Sequence, residues 1–410
     1  MLNTAIIGIS GYGNTHYGDL LRRRERGEIN LLGAAVVNQS EEAEKCAFLQ
    51  SIGCRIFDSH TAMLSALRGQ LDLCFIPTGI DLHAEMAIAA MQAGANVLIE
   101  KPAAATVQDV IAMQKAERET SRRVGVGFQI SCQEQIPKIR AFCHSREFGA
   151  VKAIRGLGVA PRNAAYYRRN QWAGRLKKNG RWILDSPYNN AFAHYLHLAL
   201  LFSAPPEQMP RFRSVQAQLF RVNPGLECAD NGCILAVSQS GIPVYFYASH
   251  TPEQMNGVRI VIDGAHGSVE WSLRKTVFRL GNESVTEENT GGLALRDRML
   301  DALFGACHGK NRGFCCDLEL AALHTLVVNA AHDSSPVAEV PRHDAEPCAE
   351  NGVERWKLRG FDEECAAAWS RGRLLDRRKF PWLEESQTVS VENYRFFRGE
   401  QCRPCKECVS

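Results

Sequence analysis

The sequence has little net charge and lacks any long apolar run. Its 48 lysines and arginines nearly balance 45 aspartates and glutamates, giving a formal charge of +3, so composition gives no general reason to expect nucleic acid or an anionic membrane as a partner. No stretch reaches the roughly 18 apolar residues that span a bilayer, and the apolar start at residues 5–7 lacks the basic region of a signal peptide. We therefore expect a cytoplasmic protein that binds small molecules, with no nucleic-acid or membrane partner.

The sequence also lacks an obvious disulfide framework. Its 15 cysteines are odd in number and mostly stand singly in apolar segments, which is typical of buried thiols in a reducing compartment. Near the carboxyl end, Cys402, Cys405 and Cys408 have metal-like spacing, but three thiols lack a fourth ligand. We interpret this segment as a tail and predict no metal site.

The first third of the chain alternates short apolar runs with amphipathic helical stretches. A chain of 410 residues with 45% hydrophobic content can bury two cores. Apolar runs separated by helices predict a doubly wound parallel α/β sheet of the Rossmann type, which binds ligands at the carboxyl ends of its strands. We assign residues 1–129 to this domain, with apolar strands near residues 5–7, 31–37, 71–76, 95–99 and 124–128.

The pattern of apolar runs in the sequence changes after about residue 150. Apolar runs near 215–220, 233–237, 244–247 and 258–262 follow one another without intervening helices, which predicts a second, α+β domain with a large, mostly antiparallel sheet. Helical patterns lie near 190–202, 295–306 and 316–331. We assign residues 130–345 to this domain and 346–410 to a carboxyl-terminal extension and tail, with 332–355 as loop and the last forty residues irregular.

A glycine-rich turn follows the first predicted strand. In the pattern G-x-G-x-x-G, glycines allow a tight bend and let backbone N–H groups approach a pyrophosphate. Gly8 and Gly13 occupy the first and third positions, Ser10 occupies the second, and Gly11 and Tyr12 complete the turn. Such a turn is either structural or a phosphate cradle, and its place between a first strand and a first helix favours the cradle.

The end of the second predicted strand bears on the choice of dinucleotide. An acidic residue there favours NAD by repelling the 2′-phosphate of NADP. This chain has Asn38, which can bond to a ribose diol but repels no phosphate, and no arginine follows closely. NAD or NADP therefore remains open, with NAD slightly favoured. Asn38 is alternatively an ordinary turn residue.

These motifs resemble the Gfo/Idh/MocA family of oxidoreductases, which includes glucose-fructose oxidoreductase and inositol dehydrogenases. The resemblance rests on the glycine turn with His16 after it, on Ile76-Pro77-Thr78 with His83, and on Glu100-Lys101-Pro102. It implies that Lys101 lies beside the nicotinamide and the substrate hydroxyl, that the proline peptide is often cis, and that the second sheet forms a homodimer or homotetramer face. The candidate cofactor contacts are Gly8, Ser10, Gly11, Tyr12, Gly13, Asn38, Thr78, His83, Glu100, Lys101 and Gln129.

The second domain departs from the family pattern. The family has an aspartate followed four residues later by an acid–base histidine, and here Asp185 is followed by Asn189. A helix starting at residues 186–188 would carry Asn190, His194 and His197 on one face, so His194 could take over that role. A histidine on an apolar helix is alternatively a hydrogen-bonded core residue.

Residues 162–175 are dense in arginines, aromatic residues and amides. Aromatic faces stack on sugar C–H surfaces while amides and guanidinium groups bind hydroxyls, so the stretch suits polyol recognition. A solvated basic surface or an oligomer contact is the alternative. The candidate substrate contacts are Lys101, Arg169, Trp172, Asn189, Asn190 and His194.

The leading hypothesis is an NAD(P)-dependent dehydrogenase that oxidises a secondary hydroxyl of a sugar, inositol or related polyol, with Lys101, His194 and Asp185 as catalytic residues. Two alternatives stay open. One is an enzyme of the same family that retains its cofactor and cleaves glycosides through transient oxidation. The other is a regulator that binds a dinucleotide or sugar without chemistry.

Overall fold

The computed structural model describes residues 1–310, 313–350 and 352–400. It divides into two compact units, which are described separately. The first holds Met1–Cys132 and Arg296–Ala322, and the second holds Gln133–Leu295 and the chain from Leu323 onward. The predicted tail cysteines, Cys402, Cys405 and Cys408, lie outside the described residues.

The first unit is built on a six-stranded sheet in which every neighbouring pair is parallel. The predicted apolar runs form its inner strands, and all four residues of 73–76 are buried, as expected for a sheet covered on both faces. This confirms the predicted doubly wound sheet; the short third strand was not predicted. The strands are β1 (Leu2–Ile7), β2 (Ile29–Ala35), β3 (Arg55–Phe57), β4 (Leu73–Ile76), β5 (Asn96–Ile99) and β6 (Val124–Val126), and the helices are α1 (Gly13–Glu25), α2 (Ala43–Ser51), α3 (His60–Ala66), α4 (His83–Gln92) and α5 (Val107–Thr120).

The strand order explains where a ligand can bind in this unit. The sheet runs β3-β2-β1-β4-β5-β6, so the direction of winding reverses between β1 and β4. At such a reversal the loops after the two strands diverge and leave a crevice at their carboxyl ends. The glycine turn follows β1 and the Glu100-Lys101-Pro102 turn follows β5, so both predicted motifs lie at this edge.

The second unit contains a large sheet of order β16-β15-β14-β13-β7-β12-β11-β10-β17, with β20 paired to β10. Most neighbours are antiparallel, and the pairs β7–β12 and β10–β17 are parallel, which confirms the predicted sheet. The elements of the remaining chain are α6 (Gln135–Cys143), β7 (Val151–Val159), α7 (Ala164–Tyr167), β8 (Lys177–Lys178), β9 (Arg181–Trp182), α8 (Ala193–Leu201), β10 (Phe212–Arg221), β11 (Asn231–Ser238), β12 (Pro243–Ser249), β13 (Gly257–Gly264), β14 (Gly267–Ser272), β15 (Lys275–Leu280), β16 (Glu283–Glu288), α9 (Gly292–Cys307), α10 (Leu318–Ser334), β17 (Val337–Glu339), β18 (Ala345–Glu350), β19 (Val353–Leu358), α11 (Phe361–Arg371) and β20 (Val389–Ser390).

The division into units differs from the predicted domain spans of 1–129, 130–345 and 346–410. Arg296–Ala322 belongs to the first unit, because its contacts are with that sheet and with α1. The backbone N–H of Val126 donates to the carbonyl oxygen of Cys316 at 3.0 Å, and buried Arg23 pairs with Asp301. Such contacts join residues far apart in the chain, so no local pattern indicates them.

One pair of cysteines contradicts the prediction of free thiols. Cys132 and Cys315 form a disulfide across a sequence separation of 183 residues, because folding of the first unit brings the segment near residue 315 to the turn after β6. The other ten cysteines of the described ranges form no disulfide, and eight of them are buried, as predicted for small apolar side chains.

The carboxyl-terminal extension is more ordered than predicted. Within the segment read as loop, 332–355, the structure has β17, β18 and the start of β19. The extension then packs onto one face of β7, β10, β11 and β12, where Phe361, Ala368 and Trp369 of α11 join a single apolar cluster with sheet residues such as Phe220 and Tyr247. The resemblance implies that the second sheet forms an assembly face, but along these four strands the face is covered by the chain itself.

None of the described helices is both long enough and apolar enough to cross a membrane.

Candidate functional site

The turn after β1 requires glycine at the positions that the sequence singled out. Gly8 and Gly11 have φ values of +89° and +56°, which side chains rarely adopt. A Cβ on Gly13 would lie 2.6 Å from the carbonyl oxygen of Gly8, whereas one on Gly11 would meet no atom within 4 Å. The turn is therefore tight on its inner side and open above Gly11.

The helix that follows has an N-terminus without a side-chain cap. α1 begins at Gly13 without a side-chain cap, and its first turn contains no acidic residue. Uncapped N–H groups and the positive end of the helix dipole favour an anion. The open face above Gly11 and this helix end fit the pyrophosphate of a dinucleotide.

Carboxylates lie beside Asn38 after β2. The Asn38 amide donates to Ser10 Oγ at 3.0 Å and to Glu41 Oε2 at 2.9 Å. Hydrogen bonds from Lys45 and Ser10 lower the pKa of Glu42. The sequence prediction considered only residues 38–40, so it missed two acidic residues that the next turn brings to the strand end.

Glu100 holds the turn that carries Lys101. Its Oε1 lies 2.7 Å from Nε2 of fully buried His16, and its Oε2 accepts the backbone N–H of Lys101 at 3.1 Å. Burial alone would raise the pKa of Glu100, but the hydrogen bond from His16 and the charges of Lys101 and Arg296 lower it to about 2. Glu100 is thus an ionised residue that fixes the backbone at Lys101, whose side chain is half-buried.

His83 supports the same turn from the other side. Its Nδ1 lies 3.0 Å from the carbonyl oxygen of Pro102 and its Nε2 lies 3.1 Å from that of Thr78. The Lys101–Pro102 peptide bond is cis, as the resemblance implies. Burial lowers the pKa of His83, and a neutral imidazole donates one N–H, so one of the two contacts is a hydrogen bond. Both ring nitrogens of His83 therefore face backbone carbonyl oxygens of the turns after β4 and β5.

Three other predicted cofactor residues have distinct surroundings. Thr78 Oγ1 donates to Met86 Sδ at 3.5 Å, and Tyr12 is 49% exposed above the glycine turn. Gln129 follows β6, and its Oε1 is buried without a hydrogen-bond partner among the described residues. A buried acceptor at a strand carboxyl end fits the amide N–H of a ligand.

In the second unit, Asp185 is a buried carboxylate that accepts hydrogen bonds at both oxygens. Oδ2 accepts from the Gly174 backbone at 2.7 Å and from Arg169 Nη2 at 3.3 Å, and Oδ1 accepts from Asn190 Nδ2 at 2.9 Å. Three of the candidate residues, Asp185, Arg169 and Asn190, therefore lie together. Asp185 orients its neighbours through both oxygens.

Arg169 lies in an aromatic stack. Its guanidinium carbon is 3.9 Å from the centre of the Tyr166 ring and 5.4 Å from that of Trp172, and its Nη1 donates to the Tyr166 carbonyl oxygen at 2.6 Å. Both predicted residues of the 162–175 stretch therefore belong to one cluster around Tyr166.

Comparisons with known proteins agree with this geometry. Residues 2–128 match the model of an oxidoreductase family with an NAD-binding Rossmann fold, GFO_IDH_MocA. These residues belong to the Gfo/Idh/MocA family. The chain is 33% identical over 88 residues to an uncharacterized oxidoreductase of Rhizobium meliloti, covering 22% of this chain and 26% of the relative. It is 27% identical over 131 residues to dTDP-3,4-didehydro-2,6-dideoxy-alpha-D-glucose 3-reductase of Streptomyces violaceoruber, covering 32% and 37%. The chain thus matches well under half the length of these curated relatives.

Solved structures show the same fold over most of the chain. The WlbA dehydrogenase from Bordetella pertussis, in complex with NADH and UDP-GlcNAcA, aligns with a TM-score of 0.64 at 20% identity, covering 81% of this chain and 95% of that chain. UDP-N-acetylglucosamine 3-dehydrogenase GnnA from Acidithiobacillus ferrooxidans aligns with a TM-score of 0.62 at 18% identity, covering 81% and 97%.

The departure from the Gfo/Idh/MocA pattern at Asn189 has a structural basis. Residues 186–192 form turns and α8 begins at Ala193, so the predicted helix start at 186–188 is wrong. Asn189 is buried, and its amide donates to the carbonyl oxygen of Leu184 at 3.1 Å. Leu184 has a φ of +54°, in the left-handed region. The amide group predicted to bind substrate therefore supports an unusual backbone conformation.

The two histidines of α8 differ in surroundings. His194 is half-buried and its ring lies 6.4 Å from that of Tyr195. His197 is buried, and burial together with His324 and His194 holds its pKa well below the usual range. His197 is therefore a neutral core residue, while His194 retains partial access to solvent.

Arg296 is a residue of the first unit that sequence reasoning missed. It is buried, donates from Nε to Asp19 Oδ2 at 2.8 Å, and donates from Nη1 to the Tyr12 hydroxyl at 3.2 Å. It therefore anchors the tyrosine of the glycine turn. No signal in the sequence links it to residue 12, because the two are 284 positions apart.

Proposed function

We propose that the protein is a cytoplasmic NAD-dependent oxidoreductase that takes hydride from a secondary hydroxyl of a sugar, inositol or related polyol. The observation that carries this proposal is the Lys101 turn, held by the buried His16–Glu100 pair beside the open glycine turn of a Gfo/Idh/MocA domain. A half-buried lysine on a fixed backbone suits proton transfer at a hydroxyl.

The chain's own residues divide the remaining work. A nicotinamide, when bound, would supply the hydride acceptor. Gly8, Gly11 and the N-terminus of α1 would hold its pyrophosphate, and Gln129 Oε1 would accept an amide N–H of the ligand. Lys101 Nζ holds the substrate hydroxyl and takes its proton. Glu100 and His83 act as positioning residues, because they contact the turn rather than the ligand.

The second unit supplies the substrate contacts. Arg169 and Trp172 present a guanidinium group and an aromatic face to sugar hydroxyls and C–H groups. Asp185 positions Arg169 and Asn190 through its two oxygens. We assign the acid–base role of this unit to His194 rather than to His197. His194 is half-buried and can be reached by a ligand, whereas His197 is fully buried.

We further propose that NAD is preferred over NADP. Glu41 and Glu42 stand beside the Asn38–Ser10 pair at the end of β2. Their carboxylates would repel a 2′-phosphate as an acid at the strand end does, although Lys45, paired with Glu42 at 2.7 Å, offsets part of that charge.

Replacement of Lys101 tests the proposal. Lys101→Ala should keep NADH affinity within about twofold yet lower the rate of NAD reduction by a factor of about 10² to 10⁴, because a positioned proton-transfer group contributes that much. The measurement is absorbance at 340 nm with a panel of hexoses, inositols and nucleotide sugars. Lys115→Ala, an exposed lysine on α5, is the matched control. Undiminished turnover in Lys101→Ala contradicts the proposal.

A dinucleotide- or sugar-binding regulator without chemistry is the second candidate. This candidate is favoured by residue 189, where the family has an acid–base histidine. Here the residue is Asn189, and its amide donates a hydrogen bond to the backbone. NADH binding without turnover of any member of the panel supports the regulator, and Lys101-dependent turnover excludes it.

A further inference from the structure

Arg162 is a half-buried arginine that the proposed function does not use. Its Nε is buried and has no hydrogen-bond partner among the described residues. Its guanidinium carbon lies 4.8 Å from the centre of the Tyr166 ring. In the described part of the chain no carboxylate pairs with it, in contrast to Arg169, which pairs with Asp185 at 3.3 Å.

The position of Arg162 is fixed by the sheet. Its backbone N–H donates to the carbonyl oxygen of His250 at 2.9 Å, which continues the β7–β12 ladder beyond the last strand residues. Asn163 then caps α7 by accepting the backbone N–H of Tyr166 at 3.1 Å. The arginine and the aromatic ring beneath it are therefore preorganised.

Positive charge exceeds negative charge in this cluster. The guanidinium groups of Arg162 and Arg169 lie at 4.8 Å and 3.9 Å from the same Tyr166 ring. The buried carboxylate of Asp185 already accepts from Arg169, Gly174 and Asn190. A partly buried guanidinium without a counter-charge is costly, so an anionic ligand would be favoured here.

A second polar atom without a partner lies in the same cluster. His250 is buried, with only 2% of its surface exposed. Its Nδ1 lies 2.8 Å from the Tyr167 hydroxyl, whereas its Nε2 has no hydrogen-bond partner among the described residues. Burial and the charges of Arg162 and Arg169 hold the pKa of His250 well below its usual range. The histidine is therefore neutral and adds a hydrogen-bonding group without supplying the counter-charge.

We propose that Arg162 binds an anionic group of the substrate, a carboxylate or a phosphate, at the cluster formed with Tyr166 and Arg169. A guanidinium group has the planar fork of donors that matches such oxygens. This inference deepens the proposed function, because it narrows the substrate from any polyol to an acidic or phosphorylated sugar.

The test is calorimetric titration of the full chain with D-glucuronate, D-glucose 6-phosphate and D-glucose. We expect one of the anionic sugars to bind at least about tenfold more tightly than glucose, as charge-assisted hydrogen bonds allow. Arg162→Gln should remove that preference, and Arg162→Lys should restore part of it. Arg168→Gln, an exposed arginine on the same segment, should retain it. The two anionic sugars distinguish a carboxylate site from a phosphate site.

Equal binding of glucose and both anionic sugars, no binding of either anion, or an unchanged preference in Arg162→Gln overturns the inference. Two further results distinguish failure of the proposed function from failure of this inference. Arg162-dependent anion binding without NAD reduction would refute the dehydrogenase and leave the anion site. Oxidation of the anionic sugar by Arg162→Gln at the wild-type rate would support the dehydrogenase and refute the anion site.

Discussion

At the scale of single residues, the structure shows which side chains hold the turn that carries Lys101 in place. Glu100 and His83 were predicted as cofactor contacts, and their polar atoms face His16, the backbone at Lys101, and the carbonyl oxygens of Thr78 and Pro102. The sequence indicated Glu100 through the Glu-Lys-Pro motif and His83 through its place after Ile76-Pro77-Thr78. It could not indicate which groups they face, because that depends on the turns around them.

The proposed effect of Glu41 on the preference for NAD over NADP can be tested with a single substitution. Glu41→Gln should reduce the preference for NAD over NADP by about fivefold. The reason is that the repulsion between a carboxylate and a 2′-phosphate about 4 Å apart in water is about 1 kcal/mol, and the substitution removes the carboxylate charge. Dissociation constants for NADH and NADPH measure the ratio. Glu44→Gln is the matched control, because Glu44 is an exposed acid in the first turn of α2. An unchanged ratio of the two dissociation constants in Glu41→Gln would show that Glu41 does not contribute to the preference for NAD.

At the scale of elements, the order of strand, glycine turn and helix at β1 and α1 was predictable, because glycine spacing after an apolar run is a local signal, although β1 begins three residues before the predicted strand. The turns at 186–192 were not. Ser186-Pro187 looks like a helix start, but Asn189 bonds instead to the backbone of residue 184 and delays α8 until Ala193. The segment Arg296–Ala322 was assigned by chain order, and its contacts with α1 and β6 are long-range.

Two glycines of α1 give a matched pair for testing the turn. Gly13→Ala places a Cβ 2.6 Å from the Gly8 carbonyl oxygen, so it should lower the free energy of unfolding by about 1–3 kcal/mol and weaken NADH binding. Gly18→Ala meets no atom within 4 Å and should be neutral or stabilising by up to about 1 kcal/mol, as alanine favours a helix. Chemical denaturation and NADH titration measure both effects. Equal behaviour of the two variants would show that the turn tolerates a side chain.

At the scale of the whole molecule, the carboxyl-terminal extension is the feature that sequence patterns concealed. Its apolar residues are spread over some fifty positions, so no window of the sequence is strongly hydrophobic. Together they bury one face of the second unit's sheet through Phe361, Trp369, Leu375 and Phe380. Beyond β13 the same face carries polar residues, including the Glu270–Arg279 ion pair.

This arrangement predicts a monomer where the resemblance predicts a homodimer or homotetramer. A stable homodimer interface needs an apolar core, and the extension covers the apolar strands of the described sheet face. Light scattering after gel filtration should give the mass of one chain across micromolar concentrations. A concentration-independent dimer would mean that another surface of the molecule mediates assembly.

The most direct test of the account is a fluorescence titration of the purified protein with NADH and with NADPH, because every enzymatic step rests on a bound dinucleotide. The account predicts saturable binding of NADH, weaker binding of NADPH, and NADH binding that survives Lys101→Ala. Absence of binding by either nucleotide would contradict the central claim, since the open glycine turn would then be only a structural feature of the fold.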